Sequence, residues 1–207
     1  MKLASTPRVE FLRALAGEIL HNYGRGRTVI SVDGTDASGR ADFADDLAEV
    51  LEETGRHVNR ASMRYFHVAR AEQDADISDA EVRLYRSGLD DSALRRVLIE
   101  PFRLGGSTAF VTQQRDPDSD TWIEPTWQTA PDDALLILDG AYLNRPEVHN
   151  LWLYSILLEN AADAAADAPD GAAHRLYIAE VAPRDGVNAV IDTTDVAAPE
   201  RRFLDRC

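Results

Sequence analysis

The chain has a single lysine, Lys2, and a single cysteine, Cys207, and each scarcity removes a class of chemistry. One cysteine excludes an internal disulfide or a cluster of thiolate ligands, and it implies no thiol redox reaction. One lysine at position 2 leaves none to meet a phosphate as a compact point charge, so any phosphate clamp must be made of arginine. Long apolar runs are missing too: nothing approaches the ~20 residues of a membrane span. Met1 to Pro7 has no apolar core of signal-peptide type, which gives the expectation of a cytoplasmic protein. Positive charge is in deficit, with 22 Lys and Arg against 36 Asp and Glu, a net charge of −14. Such a balance opposes nonspecific attraction to nucleic acid or anionic lipid, so neither is an expected partner.

What is present reads as one soluble globular domain over residues 1–207, with 44% hydrophobic and 28% charged residues and no internal repeat. Its organising stretch is Thr28 to Phe43. Val29, Ile30 and Val32 make a β-branched run that needs burial. Phe43, Leu47, Val50 and Leu51 then recur at helical spacing until Gly55. Between them lie Gly34, Thr35, Asp36, Ala37, Ser38, Gly39, Arg40 and Ala41. This is the frame of a phosphate-binding P-loop, Gly, four residues, Gly, Lys, Ser or Thr, with two chemical groups changed. The glycines let successive amides turn inward toward phosphate oxygens, and the helix N-terminus adds positive dipole character. Arg40 keeps the charge of the missing lysine in a planar geometry. Ala41 has no hydroxyl for magnesium, and Asp42 puts a carboxylate where a bound phosphate would be repelled.

Along the rest of the chain, Thr6 to Tyr23 is predicted as a capped amphipathic helix and His57 to Ala61 as a second strand. Met63, Arg64, Tyr65, Phe66 and His67 follow where the chain leaves the sheet, the place where ligands gather in open parallel sheets. Helices are expected over Asp79 to Tyr85 and Asp91 to Glu100, with Pro101 as the stop. A hairpin is expected over Thr108 to Trp127, its tryptophans packing on a core or rim rather than stacking on a base. Ala134 to Leu138, followed by Asp139-Gly140, reads as a central strand presenting a carboxylate at its tip. That is a Walker B signature, making Asp139 a candidate magnesium ligand. Leu153 to Leu158 and Ala189 to Ile191 complete five strands. Between Glu159 and His174 the sequence is Ala-rich, with Asp163, Asp167 and Asp170 and no arginine, whereas a phosphoryl-transfer lid needs cations.

Taken in order, these segments resemble the uridine kinase group of P-loop kinases over most of the chain. The resemblance is carried by Val32 to Asp36 with Gly39, Phe43 to Ala48, Phe66-His67, Gly88, Leu94 to Pro101 and Gly105-Gly106. It continues through Leu138-Asp139-Gly140, Arg145-Pro146-Glu147, Arg175 to Glu180 and Asp192 to Asp195. It implies an α/β three-layer sandwich of P-loop NTPase type, with a five-stranded parallel sheet, a hairpin and helical substrate-side insertion over about 62–130, and a shortened lid over about 159–175. It further implies ATP on the loop, magnesium at Asp139, and a nucleoside or other phosphate-bearing small molecule near Phe66, His67 and Arg70. The family's catalytic base position falls on Tyr65, and a phenol is a weaker general base at neutral pH than a carboxylate. Arg40 and Asp139 are the remaining catalytic candidates. With loop lysine, loop hydroxyl, base and lid cations all replaced, the expectation is weak nucleotide or phosphate binding with impaired or lost transfer. An active nucleoside kinase with rearranged groups and a non-catalytic interaction module are the alternatives; a loop closed by Asp42 on its own amides would mark the module.

Overall fold

Helix α1 (Pro7–Tyr23) begins with the Thr6 hydroxyl accepting from the Val9 amide, and Pro7 sits at the start, where its missing N–H is not needed. In the computed structural model, which describes residues 2–161 and 171–203, the chain then enters strand β1 (Thr28–Asp33). Helix α2 (Arg40–Glu52) and strands β2 (Val58–Ser62), β3 (Leu135–Gly140), β4 (Tyr154–Glu159), β5 (Ala189–Asp192) and β6 (Glu200–Arg202) follow, with α6 (Gly171–Val181) between β4 and β5. The three short helices α3 (Ala80–Arg83), α4 (Asp91–Ala93) and α5 (Glu100–Leu104) lie between β2 and β3.

The strands form one sheet in the order β2-β3-β1-β4-β5-β6, the first five parallel and β6 antiparallel to β5. The five parallel strands with β1 at the centre are those expected from sequence; β6 is an addition. Both β1 and β3 are buried along their whole length, as parallel strands covered on two faces must be. Alternation sorts their side chains. Ile30, Val32, Leu135 and Ile137 pack against Leu12 and Ile19 of α1 and Phe43, Leu47 and Leu51 of α2. Val29, Leu136 and Leu138 pack on the other face against Leu94, Leu98, Phe102 and Phe110. Each such side chain contributes about 1.5–3 kcal/mol on burial, so the two layers hold the strand tips firmly in relation to one another.

Three local expectations are corrected. Pro101 does not stop its helix: a π-helical turn over Leu94–Ile99 leads into α5, where Pro101 stands in the first turn. There its missing N–H is tolerated. Helix α3, capped by the Asp79 carboxylate on the Glu81 and Val82 amides at 3.0 Å, also opens into a π turn, Leu84–Gly88. The segment from Thr108 to Trp127 is not a ladder of paired strands but has the isolated bridges Phe110 to Gln128 and Arg115 to Trp122. Its amides are drawn elsewhere, Val111 to the Val97 carbonyl and Arg115 to the Tyr65 carbonyl. Trp122 and Trp127 are exposed, so neither packs in the core.

Asp163, Asp167 and Asp170 of the expected lid lie outside the described residues. No helix among the described residues is long and apolar enough to cross a membrane.

Candidate functional site

The loop after β1 is built as its glycines require. A Cβ on Gly34 would stand 2.5 Å from Ser38 Oγ and 3.2 Å from Leu158, and Gly39 has φ +68°, a left-handed conformation that favours glycine. Between them Asp36–Ser38 form a 3₁₀ turn. Thr35 Oγ1 accepts from the Ser38 amide at 3.2 Å, and Ser38 Oγ donates to the Thr35 carbonyl at 2.7 Å. The Thr193 hydroxyl, from the turn after β5, donates to the Ser38 carbonyl at 2.8 Å and ties the loop to the next strand. Gly39, the N-cap of α2, makes no side-chain cap hydrogen bond, and both Ala41 and Asp42 are exposed.

Arg40 folds back over this loop. Its Nη1 donates to the Gly34 carbonyl at 3.0 Å, its Nη2 pairs with Asp36 Oδ1 at 2.5 Å, and its Nε lies 3.9 Å from Asp139 Oδ2. Asp36 itself is exposed, so its part of the pair is worth little beyond fixing the guanidinium. At the tip of β3, Asp139 is buried, accepting from Arg60 Nη2 at Oδ1 and from Ser62 Oγ at Oδ2, both at 3.0 Å. Arg60 also reaches Asp45 Oδ1 of α2 at 2.8 Å and the Ile137 carbonyl at 2.9 Å.

These contacts test the magnesium expected at this site. A magnesium ion takes oxygen ligands in a near-octahedral shell. Here both Asp139 oxygens are engaged by a guanidinium and a hydroxyl, a second guanidinium stands beside them, and Ala41 supplies no oxygen. The donor set does not fit the ion. For a phosphate the loop fits better, since the glycine frame is intact and the first amides of α2 carry no side-chain cap.

A cleft of about 600 Å³ opens over the loop, lined by Arg40, Ala41, Arg60, Arg64, Tyr65 and Asp139 among others. Tyr65 ends a 3₁₀ turn after β2 and is half-buried, with the Arg64 guanidinium 5.8 Å from its ring centre. An adjoining chamber of about 360 Å³ shares Arg40, Arg64 and Ala141 and adds His67 and Arg70 to its walls. His67 is buried, its ring nitrogens 2.8 Å from the Arg64 carbonyl and 3.1 Å from Asp120 Oδ1. Phe66 is fully buried in the core and does not line either space. The structure therefore brings Arg40, Ala41, Tyr65 and Asp139 to the cleft and His67 and Arg70 to the adjoining chamber, which Arg40 also lines, and leaves Phe66 out of both.

On the other face of the sheet, Asp33 at the tip of β1 is buried. Its Oδ2 accepts from Asn144 Nδ2 at 2.7 Å and from the Tyr177 hydroxyl, while Oδ1 has no side-chain hydrogen-bond partner among the described residues. Burial pushes the Asp33 carboxyl above its usual range, against the lowering effect of Tyr177, Asn144, the Leu143 backbone and the Arg40 charge. Burial, then the Asp33 charge, pushes the Tyr177 phenol up as well. Tyr142 holds φ +65° beside this pair, an uncommon conformation for a residue with a side chain. Its ring is wedged edge-on between Tyr85 at 4.9 Å and Tyr177 at 5.3 Å.

No family model matches the chain, and no curated protein matches it. Among solved structures, it is similar to a possible uridine kinase from Bacillus stearothermophilus, with TM-score 0.73 and 22% identity over 88% of this chain and 96% of that one. The likeness is one of fold, an α/β fold with a mostly parallel sheet. A proposed fructose transport system kinase from Silicibacter sp. TM1040 superposes with TM-score 0.60 and 19% identity, covering 90% of this chain and 86% of its own. The protein YGR205w superposes with TM-score 0.62 and 13% identity over 98% of this chain and 100% of its own. At these identities the likeness is one of architecture.

Residues left without a role at the site by the sequence alone are Arg60, Ser62, Asn144, Tyr177 and Thr193, although Tyr177 and Thr193 lie in segments that carry the resemblance. Arg60 and Ser62 carried a signal: they stand two apart on β2, hence on one face, where Arg60, Ser62 and Val58 are partly exposed and Asn59 and Ala61 are buried. Nothing in the sequence pointed Asn144 or Tyr177 to Asp33, which lies more than a hundred residues away.

Proposed function

We propose that the chain is a uridine kinase-like P-loop protein that holds a nucleotide or phosphate weakly and in which phosphoryl transfer is impaired or lost. The observation that carries this reading is the state of Arg40 and Asp139. The only cation of the loop is engaged by the loop's own Gly34 carbonyl and Asp36, and the acid expected to face magnesium is enclosed by Arg60 and Ser62. Phosphoryl transfer depends on charge placed around the moving group, with little covalent chemistry for the protein to perform. A loop cation with internal partners and a neutralised acid remove that placement, and Tyr65 offers no carboxylate to a nucleoside hydroxyl. The open, uncapped N-terminus of α2 favours retained phosphate binding over a purely packing role, because Asp42 does not close the loop on itself.

Calorimetric titration with ATP, in magnesium and in chelator at fixed ionic strength, tests the reading directly. Weak binding with little response to magnesium is the expected result. A magnesium-dependent gain of about a hundredfold, or about 2.7 kcal/mol, would mean a working metal site. Nucleoside phosphorylation near or above about 1 per second, the ordinary range of enzymes, would overturn the impaired-transfer reading and favour the active kinase.

A further inference from the structure

The chamber beside the cleft, about 360 Å³ in volume, is lined by Arg40, Arg64, Arg70 and Arg83, with Glu81 its one carboxylate among the described residues. In a chain of net charge −14 this local inversion of sign calls for a cause. Many guanidiniums elsewhere stand beside acids, as Arg13 does beside Glu53 and Arg145 beside Asp91, and others, such as Arg27 and Arg103, are held by backbone carbonyls away from either cavity. Among the described residues Arg70 and Arg83 form no such pair. Arg70 Nη2 and Nη1 donate to the Pro117 and Asp118 carbonyls at 2.5 and 3.3 Å. Arg83 Nε and Nη2 donate to the Ile77 and Ser78 carbonyls at 2.7 and 3.3 Å. Carbonyls fix the direction of a guanidinium without cancelling its charge, and with five N–H groups each, both residues keep donors for a ligand. Met63, Leu84 and Leu89 supply apolar wall. The volume is that of a small-molecule site.

We propose that this chamber binds a phosphomonoester, an anionic group on a small uncharged body, in preference to a neutral nucleoside. The inference rests on the P-loop reading above and names the ligand class of the space next to the loop. A phosphomonoester dianion presents three oxygens to more than one arginine fork, which a single carboxylate cannot do. A neutral nucleoside would leave two uncompensated guanidiniums facing uncharged groups.

The test is calorimetry on the full chain with ribose 5-phosphate, uridine 5′-monophosphate and uridine, with ATP titrated in parallel. Both monoesters are expected to bind about tenfold or more tightly than uridine, since charge-assisted bonds are the stronger ones. The double change Arg70→Gln, Arg83→Gln should weaken the monoesters by about tenfold and ATP by less than about threefold. Because both arginines also brace loops, a second variant leaves them in place. Ala80→Glu puts another carboxylate at the exposed start of α3, on the chamber wall, and should weaken the monoesters by about fivefold through repulsion. Uridine binding as tightly as its monophosphate would overturn the proposal. So would monoester affinity that ignores both variants but is abolished by Arg40→Ala, which places the ligand on the loop. Monoester binding that follows the chamber variants in a protein that fails to bind ATP would support the chamber and sink the nucleotide reading alone.

Discussion

Asp33 and Asp139 end neighbouring central strands one step apart in register, with Val32 opposite Asp139 and Asp33 opposite Gly140, and both are almost wholly buried. Strand alternation turns them to opposite faces of the sheet, and there the likeness stops. Asp139 meets cations, Arg60 at 3.0 Å and Arg40 at 3.9 Å, together with the Ser62 hydroxyl. Asp33 meets the neutral donors Asn144 and Tyr177 and is pushed toward its protonated form by burial. The same residue type at the same depth is thus an ion-pair centre on one face and a hydrogen-bond acceptor in an aromatic cluster on the other. What a strand-tip acid does is set by the neighbours the topology delivers, and motif position alone does not decide it.

The strongest way to break this contrast is to strip Asp139 of its main cation. Arg60→Met should cost about 3 kcal/mol, because a buried carboxylate then loses its pairing, whereas Arg60→Met with Asp139→Leu should recover most of the loss. Urea denaturation of the two variants measures both values. A double variant no more stable than the single one would mean that Arg60 acts through its contacts with Asp45 and the Ile137 carbonyl instead. On the other face, Tyr177→Phe removes one donor from a carboxyl already short of partners and should cost about 1–2 kcal/mol by the same assay.

The smallest effect sharpens the comparison through pH. A carboxyl whose folded pKa is raised above its unfolded value contributes stability that is full below the unfolded pKa and lost as pH rises through the folded pKa. Asp33→Asn keeps one oxygen to accept from Asn144 and Tyr177 and cannot ionise. Relative to the natural chain, the variant should therefore gain stability from acid toward neutral pH, read as a thermal midpoint difference that grows over that window. A difference that shrinks as pH rises would show Asp33 to be stabilised as an anion.

Much of this was legible in the amino-acid order. The β-branched run of β1, the continuous apolar run of β3 and the helical spacing of α2 announced a parallel sheet centred on β1, because local burial patterns decide such elements. The loop frame was readable for much the same reason: Gly39 answers a local turn, and the tightest constraint on Gly34 comes from Ser38, four residues on, with distant Leu158 adding to it. The partners were not. Arg60 reaches Asp139 across 79 positions and Tyr177 reaches Asp33 across 144, and only the folded topology makes them neighbours. The stop predicted at Pro101 failed because the π turn before it changes the hydrogen-bond register, a tertiary choice that proline's local preference does not reveal.

Strand β6 is three residues long, charged, and antiparallel to the apolar β5. Arg201 reaches back to Glu18 of α1 and Arg202 to Asp192, so the strand is fastened by its side chains as well as its backbone. Without it, the edge of β5 at Val190, Ile191 and Asp192 would present a bare row of amides and carbonyls, a template for edge-to-edge aggregation. β6 therefore works as a gatekeeper: its short length and two arginines give an incoming strand little to extend.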